Sequence, residues 1–300
     1  MTVPACRPLI ILCPGRSFSS VLCTAIGQHP ELCDLPEIYL GIADSVGELL
    51  DRASERGKRY LAYGLVRVIA ELYQGDQSED SAQAAWAWLR QRRDWSTGRL
   101  FHALAERVAP RQLVDKSPTH GQPDNLQRLR AIFPQARFLH LLRHPRGNCA
   151  SLYKVHAQRA SSAGSQDALL LAEQVERQWL KVHRHILAFT ATLPAGQVMR
   201  LRGEDALAEP ELYFAQLAEW LGIRTDAAAI DAMLHPEDSP YARPGPPSAP
   251  YGNNPGFIDD PRLRRGWPAT GPLQGPLEWS PLGAGFTAET LALARQFGYH

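Results

Sequence analysis

Leu9-Ile10-Ile11-Leu12-Cys13-Pro14-Gly15-Arg16-Ser17-Phe18-Ser19-Ser20 carries three signals in a row. The apolar run Leu9–Leu12 has the length and continuity of a strand buried on both faces. Cys13–Phe18 holds the proline and glycine of a turn, and Ser19–Gly27 reads as a helix capped by serine. Strand, turn and helix in that order make one α/β unit. Three later apolar runs also lead to a cation, as the first leads to Arg16: Leu113–Val114 to Lys116, Phe138–Leu142 to Arg143 and Val198–Leu201 to Arg202. As parallel strands they would share one edge at their carboxyl ends, where open α/β sheets bind their ligands. The chain has 32 Lys+Arg and 31 Asp+Glu, so such a cluster is no by-product of a basic protein. A compact polyanion suits an edge of this kind.

At 300 residues, 44% hydrophobic and 21% charged, the chain fits one globular domain over 1–300 with a substantial core. A net charge of +1 and the lack of a basic stripe with interleaved aromatics argue against nucleic acid as a partner. The apolar stretches fall short of the roughly 20 residues that span a bilayer, and Met1–Arg7 is too short and polar for a signal peptide. Five cysteines, Cys6, Cys13, Cys23, Cys33 and Cys149, form no C-x-x-C pair. They are expected to be reduced thiols of a cytoplasmic protein. His183 and His185 are two apart, His140 and His144 straddle a strand end, and no H-E-x-x-H spacing occurs, so no metal site is expected.

From Asp44 to Val108 helical periodicity takes over, including Ser81–Arg92, and residues 44–110 are expected to be a helical insertion covering one side of the sheet. The α/β alternation resumes at Gln112–Val114. It continues with a helix near Asp124–Phe133, a strand at Arg137–Leu142, a helix from about Gly147, a long helix near Asp167–Ala191, the strand Val198–Leu201 and a helix at Pro210–Leu221. Strands separated by helices imply a mostly parallel sheet flanked by helices. Residues 236–281 are dense in Pro, Gly and Asn, the composition of a lid or binding loop, and a short helix near Ala288–Phe297 closes the chain.

At the first turn, serines and helix N–H groups meet the planar charge of Arg16, an arrangement that cradles phosphate. A serine cap beside a solvated arginine fits this turn equally well. It is not a Walker A loop, because no lysine follows. The segment Arg143-His144-Pro145-Arg146-Gly147-Asn148-Cys149-Ala150-Ser151 repeats the logic, with an arginine at a strand end and a serine in the next helix, so two anion sites are implied.

These segments resemble those of sulfotransferases. The first turn is similar to their 5′-phosphosulfate loop, P-R-S-G-T-T, and Arg143–Ser151 to their 3′-phosphate motif. Asp115-Lys116-Ser117-Pro118 is similar to D/E-K-[ST]-P, and Arg202-Gly203-Glu204-Asp205-Ala206-Leu207 to R-x-E-D-L. The resemblance spans Leu9 to Leu207. It implies a single-domain α/β sheet of the P-loop-kinase-like sulfotransferase type and the donor 3′-phosphoadenosine 5′-phosphosulfate (PAPS, leaving PAP), bound without a metal. Arg16, Ser17, Phe18, Ser19 and Ser20 would hold its 5′ end, Arg143 and Ser151 its 3′-phosphate, with Arg202 also at the donor. Phe18 departs from the pattern. Glycine is usual there, and a side chain would crowd a backbone that must approach phosphate.

Transfer to an acceptor hydroxyl requires a base and cations at the leaving phosphate. Glu37, in Leu35-Pro36-Glu37-Ile38-Tyr39-Leu40, resembles the acidic base of carbohydrate-type sulfotransferases, and His120 is the alternative. Lys116 and Arg202 are candidates to act on the leaving group or acceptor, or else to pair with Asp115 and Glu204. Gln28-His29-Pro30, Leu35-Pro36-Glu37, His235–Tyr241 and Gly252–Phe257 are similar to sulfotransferases of polyketide and peptide assembly lines. This implies a hydroxyl acceptor, a small molecule or a chain tethered to a carrier protein. Tyr241 and Phe257 would line its site or pack the loop onto the core. Two rivals share the phosphate turn: a nucleotide or small-molecule kinase, which needs a P-loop lysine and magnesium, and an inactive phosphoadenosine-binding module, for which Phe18 speaks.

Overall fold

The computed structural model describes residues 7–159, 165–266, 271–280 and 282–300. Cys6, and residues 267–270 and 281 of the segment expected to be a lid, lie outside the described residues. Five strands, β1 (Leu9–Leu12), β2 (Leu32–Asp34), β3 (Gln112–Lys116), β4 (Arg137–Leu142) and β5 (Val198–Arg202), stand in the order β2-β3-β1-β4-β5. Every neighbouring pair is parallel. The chain runs from β1 to β2 on one side and from β3 across β1 to β4 on the other, so the switch point lies at the carboxyl ends of the neighbouring β1 and β3, where the crevice of such a sheet opens.

Strand alternation sorts the core. Ile10 and Leu12 face one way, beside Leu113 and Phe138, and pack under α2 (Val46–Ser54), α3 (Tyr60–Ile69), α4 (Glu79–Arg90), α5 (Thr97–Val108) and α6 (Pro123–Ile132). Leu9 and Ile11 face the other way with Val114, Leu139 and Leu201, under α1 (Ser19–Gly27), α9 (Gly203–Ala208), α10 (Pro210–Leu221) and α11 (Ala227–Ala232). Burial on both faces is why the central strand β1 is a continuous apolar run rather than an alternating one. Helices α2, α4 and α5 begin at Ser45, Ser78 and Ser96, whose hydroxyls accept from the backbone N–H three residues on.

A third cluster joins Leu142 to α7 (Pro145–Arg159), α8 (Ser165–Thr190) and α13 (Ala288–Gln296) through Trp179, Phe286 and Phe297. The short α12 (Pro255–Asp259) lies in the Pro/Gly-rich stretch, whose Tyr241, Ala249 and Phe257 are buried. Cys13, Cys23, Cys33 and Cys149 are free and buried. Among the described residues no helix is long and apolar enough to cross a membrane.

Two expectations change. The residue that caps α1 is Phe18, with φ 62°, and no side chain bonds that cap. The serines behind it are thereby left for other partners. Strand β2 went unread because three residues after a tight turn show no period; its pairing with β3, Leu32 opposite Gln112, defines it.

Candidate active site

The β1–α1 loop is shaped by two residues in the left-handed region, Arg16 (φ 68°) and Phe18 (φ 62°). Such a backbone costs a non-glycine residue roughly 1–2 kcal/mol, and the surroundings hold it. Asn148 on α7 donates to Gly15 O (2.9 Å) and to Ser17 Oγ (3.0 Å). Arg143 Nη1, from the end of β4, donates to Arg16 O (2.6 Å). The first bond of α1 runs from Leu22 N–H to Phe18 O, so the N–H groups of Ser19 and Ser20 precede the ladder and open onto the crevice.

Phe18 does not fill that opening. Its ring lies under the Arg143 guanidinium, 4.1 Å from centroid to cation, and against Gly203, where an added Cβ would come within 2.6 Å of the ring. The crowding expected from this side chain is relieved because the strand-end Gly203 makes room for it.

Arg16 Nε donates to Ser151 Oγ on α7 at 2.9 Å, which joins the two anion segments directly. Burial pulls the Arg16 pKa down, with Glu37 opposing. Arg143 is more enclosed, and burial lowers it to about 10. Among the described residues its Nε has no hydrogen-bond partner, and it is buried. A buried cationic donor with nothing to bond is an incomplete arrangement, and an anion completes it.

Lys116, 1% exposed, reaches the end of β3 and donates to Ser20 Oγ (2.9 Å) and Glu37 Oε1 (2.8 Å). It does not pair with Asp115, because adjacent strand residues face opposite sides. Asp115 instead bonds His120 Nε2 at 2.8 Å, both side chains fully buried. The structure thus brings Glu37 and Lys116 together beside α1 and encloses His120 in the core. Glu37 keeps about a fifth of its side chain exposed. Its second oxygen, Oε2, accepts from the Tyr39 hydroxyl (2.8 Å), and its backbone N–H bonds Gly252 O.

Arg202 bonds Asp205 (2.6 Å) and Gly298 O (2.9 Å), rather than Glu204. Glu204 accepts from His144 N–H at the start of α7 and from the Tyr299 hydroxyl. Tyr39, Asn148 and Gly252 were not singled out from the sequence. Asn148 lies within the Arg143–Ser151 segment, Tyr39 within Leu35–Leu40 and Gly252 at the head of Gly252–Phe257, but no local signal gives any of the three its partner. Tyr241 and Phe257 are buried, and Tyr241 sits beside Arg67 of α3. Among the described residues no three His, Cys, Asp or Glu side chains are gathered for a metal.

A sheet with this switch point, a helix N-terminus between two arginine-bearing segments and a lysine–carboxylate pair make a site that suits an anionic ligand. Residues 8–227 match the sulfotransferase family, and the chain belongs to that family. It is a sulfotransferase, and its open parallel sheet is flanked by helices on both faces. Among solved structures it is similar to the sulfotransferase domain from the curacin biosynthetic pathway, at TM-score 0.80 and 24% identity over 98% of both chains. It is also similar to the sulfotransferase domain of the Synechococcus PCC 7002 olefin synthase, at TM-score 0.76 and 23% identity over 100% of this chain and 98% of that one. A Mycobacterium avium sulfotransferase is more distant, at TM-score 0.54 and 14% identity over 99% and 76%. No curated protein matches the chain.

Proposed function

We propose that this sulfotransferase moves the sulfuryl group of 3′-phosphoadenosine 5′-phosphosulfate to a hydroxyl acceptor, with Glu37 as the base. The observation that carries the reading is the Glu37–Lys116 pair at 2.8 Å, bonded through Lys116 to Ser20 at the open N-terminus of α1. The 5′ end of the donor belongs at Arg16, Ser17, Ser19 and Ser20, on the helix N–H groups. Its 3′-phosphate belongs at Arg143, whose unpartnered Nε suits it, and at Ser151. Phe18 and Arg202 serve from behind, the first by shaping the loop and the second by bracing the end of β5.

Glu37 accepts the proton of the acceptor hydroxyl as its oxygen bonds to sulfur. A protonated Glu37 no longer neutralises Lys116, so the ammonium charge becomes available to the phosphate oxygen that departs with the bond electrons. Arg16 adds a second cation there. Side chains supply the whole charge balance, and the reading calls for no metal. The kinase reading lacks its P-loop lysine. An inactive binding module would have no use for a buried lysine paired to a carboxylate that keeps about a fifth of its surface exposed.

A carrier-tethered acceptor fits the two similar structures that come from a biosynthetic pathway and a synthase. Small-molecule alcohols are the other acceptor class. The test is Glu37→Gln, assayed by mass spectrometry with the sulfated donor and a panel of free and carrier-bound alcohols. Turnover is expected to fall roughly 10²–10⁴-fold while calorimetry shows PAP affinity nearly unchanged. Full turnover in that variant would remove Glu37 as base.

A further inference from the structure

Tyr39 occupies a position that packing alone does not explain. It is a buried aromatic residue with φ 54°, a left-handed backbone that non-glycine side chains seldom adopt. Such strain persists only where neighbours enforce it, and here they can be named. The Tyr39 N–H donates to Ser117 Oγ (3.2 Å), its ring meets Tyr60 edge-on at 5.9 Å, and its hydroxyl donates to Glu37 Oε2 (2.8 Å).

These bonds close a ring. Glu37 is held by Lys116 on one oxygen and Tyr39 on the other, and the residue after Lys116, Ser117, holds the Tyr39 backbone. Both donors to the carboxylate are therefore tied to the end of β3. Gly252 O fixes the Glu37 backbone from the opposite side. The charged and titratable groups around this carboxylate are Lys116 from β3, Arg16 and Cys13 from the β1–α1 loop, and Tyr39 with Tyr60 behind it. Among the described residues Tyr39 is the one neutral hydroxyl donor bonded to it, and burial beside Glu37 pushes that phenol well above its usual range, so it stays a donor.

We propose that Tyr39 is the positioning residue for Glu37: its hydroxyl and its left-handed backbone hold the carboxylate at one orientation between Lys116 and the acceptor. The inference rests on Glu37 being the base. Without the hydroxyl the carboxylate loses one of its two hydrogen bonds, and it is free to turn fully onto Lys116.

The experiment labels glutamate carboxyls with ¹³C in the full chain with PAP bound, and assigns Glu37 by the resonance missing from Glu37→Gln. In Tyr39→Phe the Glu37 carboxyl resonance at neutral pH should move from its wild-type position, because one of its two hydrogen bonds is gone, with PAP affinity held within about twofold. Turnover should fall about tenfold with KM for the donor unchanged. Ser117→Ala, which leaves the phenol in place but frees its backbone, should move the resonance the same way by less. An unmoved resonance in Tyr39→Phe overturns the proposal, and so does a loss of turnover matched by an equal loss of PAP affinity. The spectrum needs no sulfate transfer, so an absent transfer activity counts against the function and an unmoved resonance against Tyr39.

Discussion

Arg143 shows how one residue joins stability to binding. Its Nη1 bonds Arg16 O and its guanidinium covers Phe18, so it holds the first loop, yet its Nε remains buried and unbonded. An unmade bond of this kind costs about 1–3 kcal/mol, and a bound 3′-phosphate would recover it. Arg143→Ala should therefore weaken PAP binding by about 1.5–3 kcal/mol. Calorimetry with PAP and with adenosine 5′-monophosphate provides the check, because the variant should bind both alike. A retained preference for PAP would take Arg143 away from the 3′-phosphate. Lys116 is the counterpart at the other end. Both of its hydrogen bonds run within the crevice, to Ser20 and Glu37, so its charge is held ready rather than lost to a structural ion pair.

Helix α3 packs directly against the Glu37 backbone, and it does so through a residue with no side chain. A Cβ on Gly64 would stand 2.1 Å from Glu37 O and 2.7 Å from Glu37 C, both backbone atoms that cannot step aside. Elsewhere a helix-interior Gly→Ala change gains roughly 1 kcal/mol of propensity. Here Gly64→Ala should lower the melting temperature and cut turnover by more than tenfold, about 1.4 kcal/mol in the barrier, while PAP affinity changes less because the donor loops hang from α1, β4 and α7. Wild-type turnover in that variant would show that α3 does not set the base.

Such contacts mark the limit of what the sequence discloses. The runs Leu9–Leu12 and Arg137–Leu142 and the helix Pro210–Leu221 match their structural bounds, because length, apolar continuity and N-terminal proline are local signals. The shared edge of Arg16, Lys116, Arg143 and Arg202 was legible from strand ends alone, whereas the bond of Arg16 to Ser151 was not. The Phe18 cap, the Tyr39 backbone and the Gly252–Glu37 bond were not. Each depends on residues far away in the chain: Gly203 for the first, Ser117 for the second, and the late Pro/Gly segment for the third. His120 was a candidate on chemistry, and only the pairing of Asp115 with it shows where the imidazole goes.

Over the whole molecule, the sheet is sealed so well that several ionisable groups are folded in their neutral forms. His140 on β4 and His183 on α8 bond each other at 2.8 Å among Trp179 and Phe297. Burial, with Arg200 adding to it, lowers His140 to about 3, and burial takes His183 well below its ordinary value. His144 is lowered to about 4, again mainly by burial. Below a pH of about 6.5 the unfolded chain protonates these three imidazoles and the folded chain does not. The unfolded state then binds more protons, so stability falls as pH drops from 6.5 through 4 toward 3. Asp34 acts in the opposite sense. It lines a cavity of about 390 Å³ with Gln28, Glu71, Arg107 and Arg111, and burial raises it to about 7 despite the bond from Ser239. The folded chain keeps that proton where the unfolded carboxyl has lost it, so the Asp34 contribution declines as pH rises from about 4 to 7. Three imidazoles outweigh one carboxyl in the shared window. Urea midpoints at matched ionic strength should therefore be lower at pH 5 than at pH 7, and equal midpoints would mean the imidazoles titrate in the folded chain. Asp34→Asn, neutral at every pH, separates the two contributions. It should gain on the wild type between pH 5 and pH 7.5, since only the wild type must ionise a buried carboxyl over that range. A constant difference between the two proteins would show that Asp34 is already ionised at pH 5.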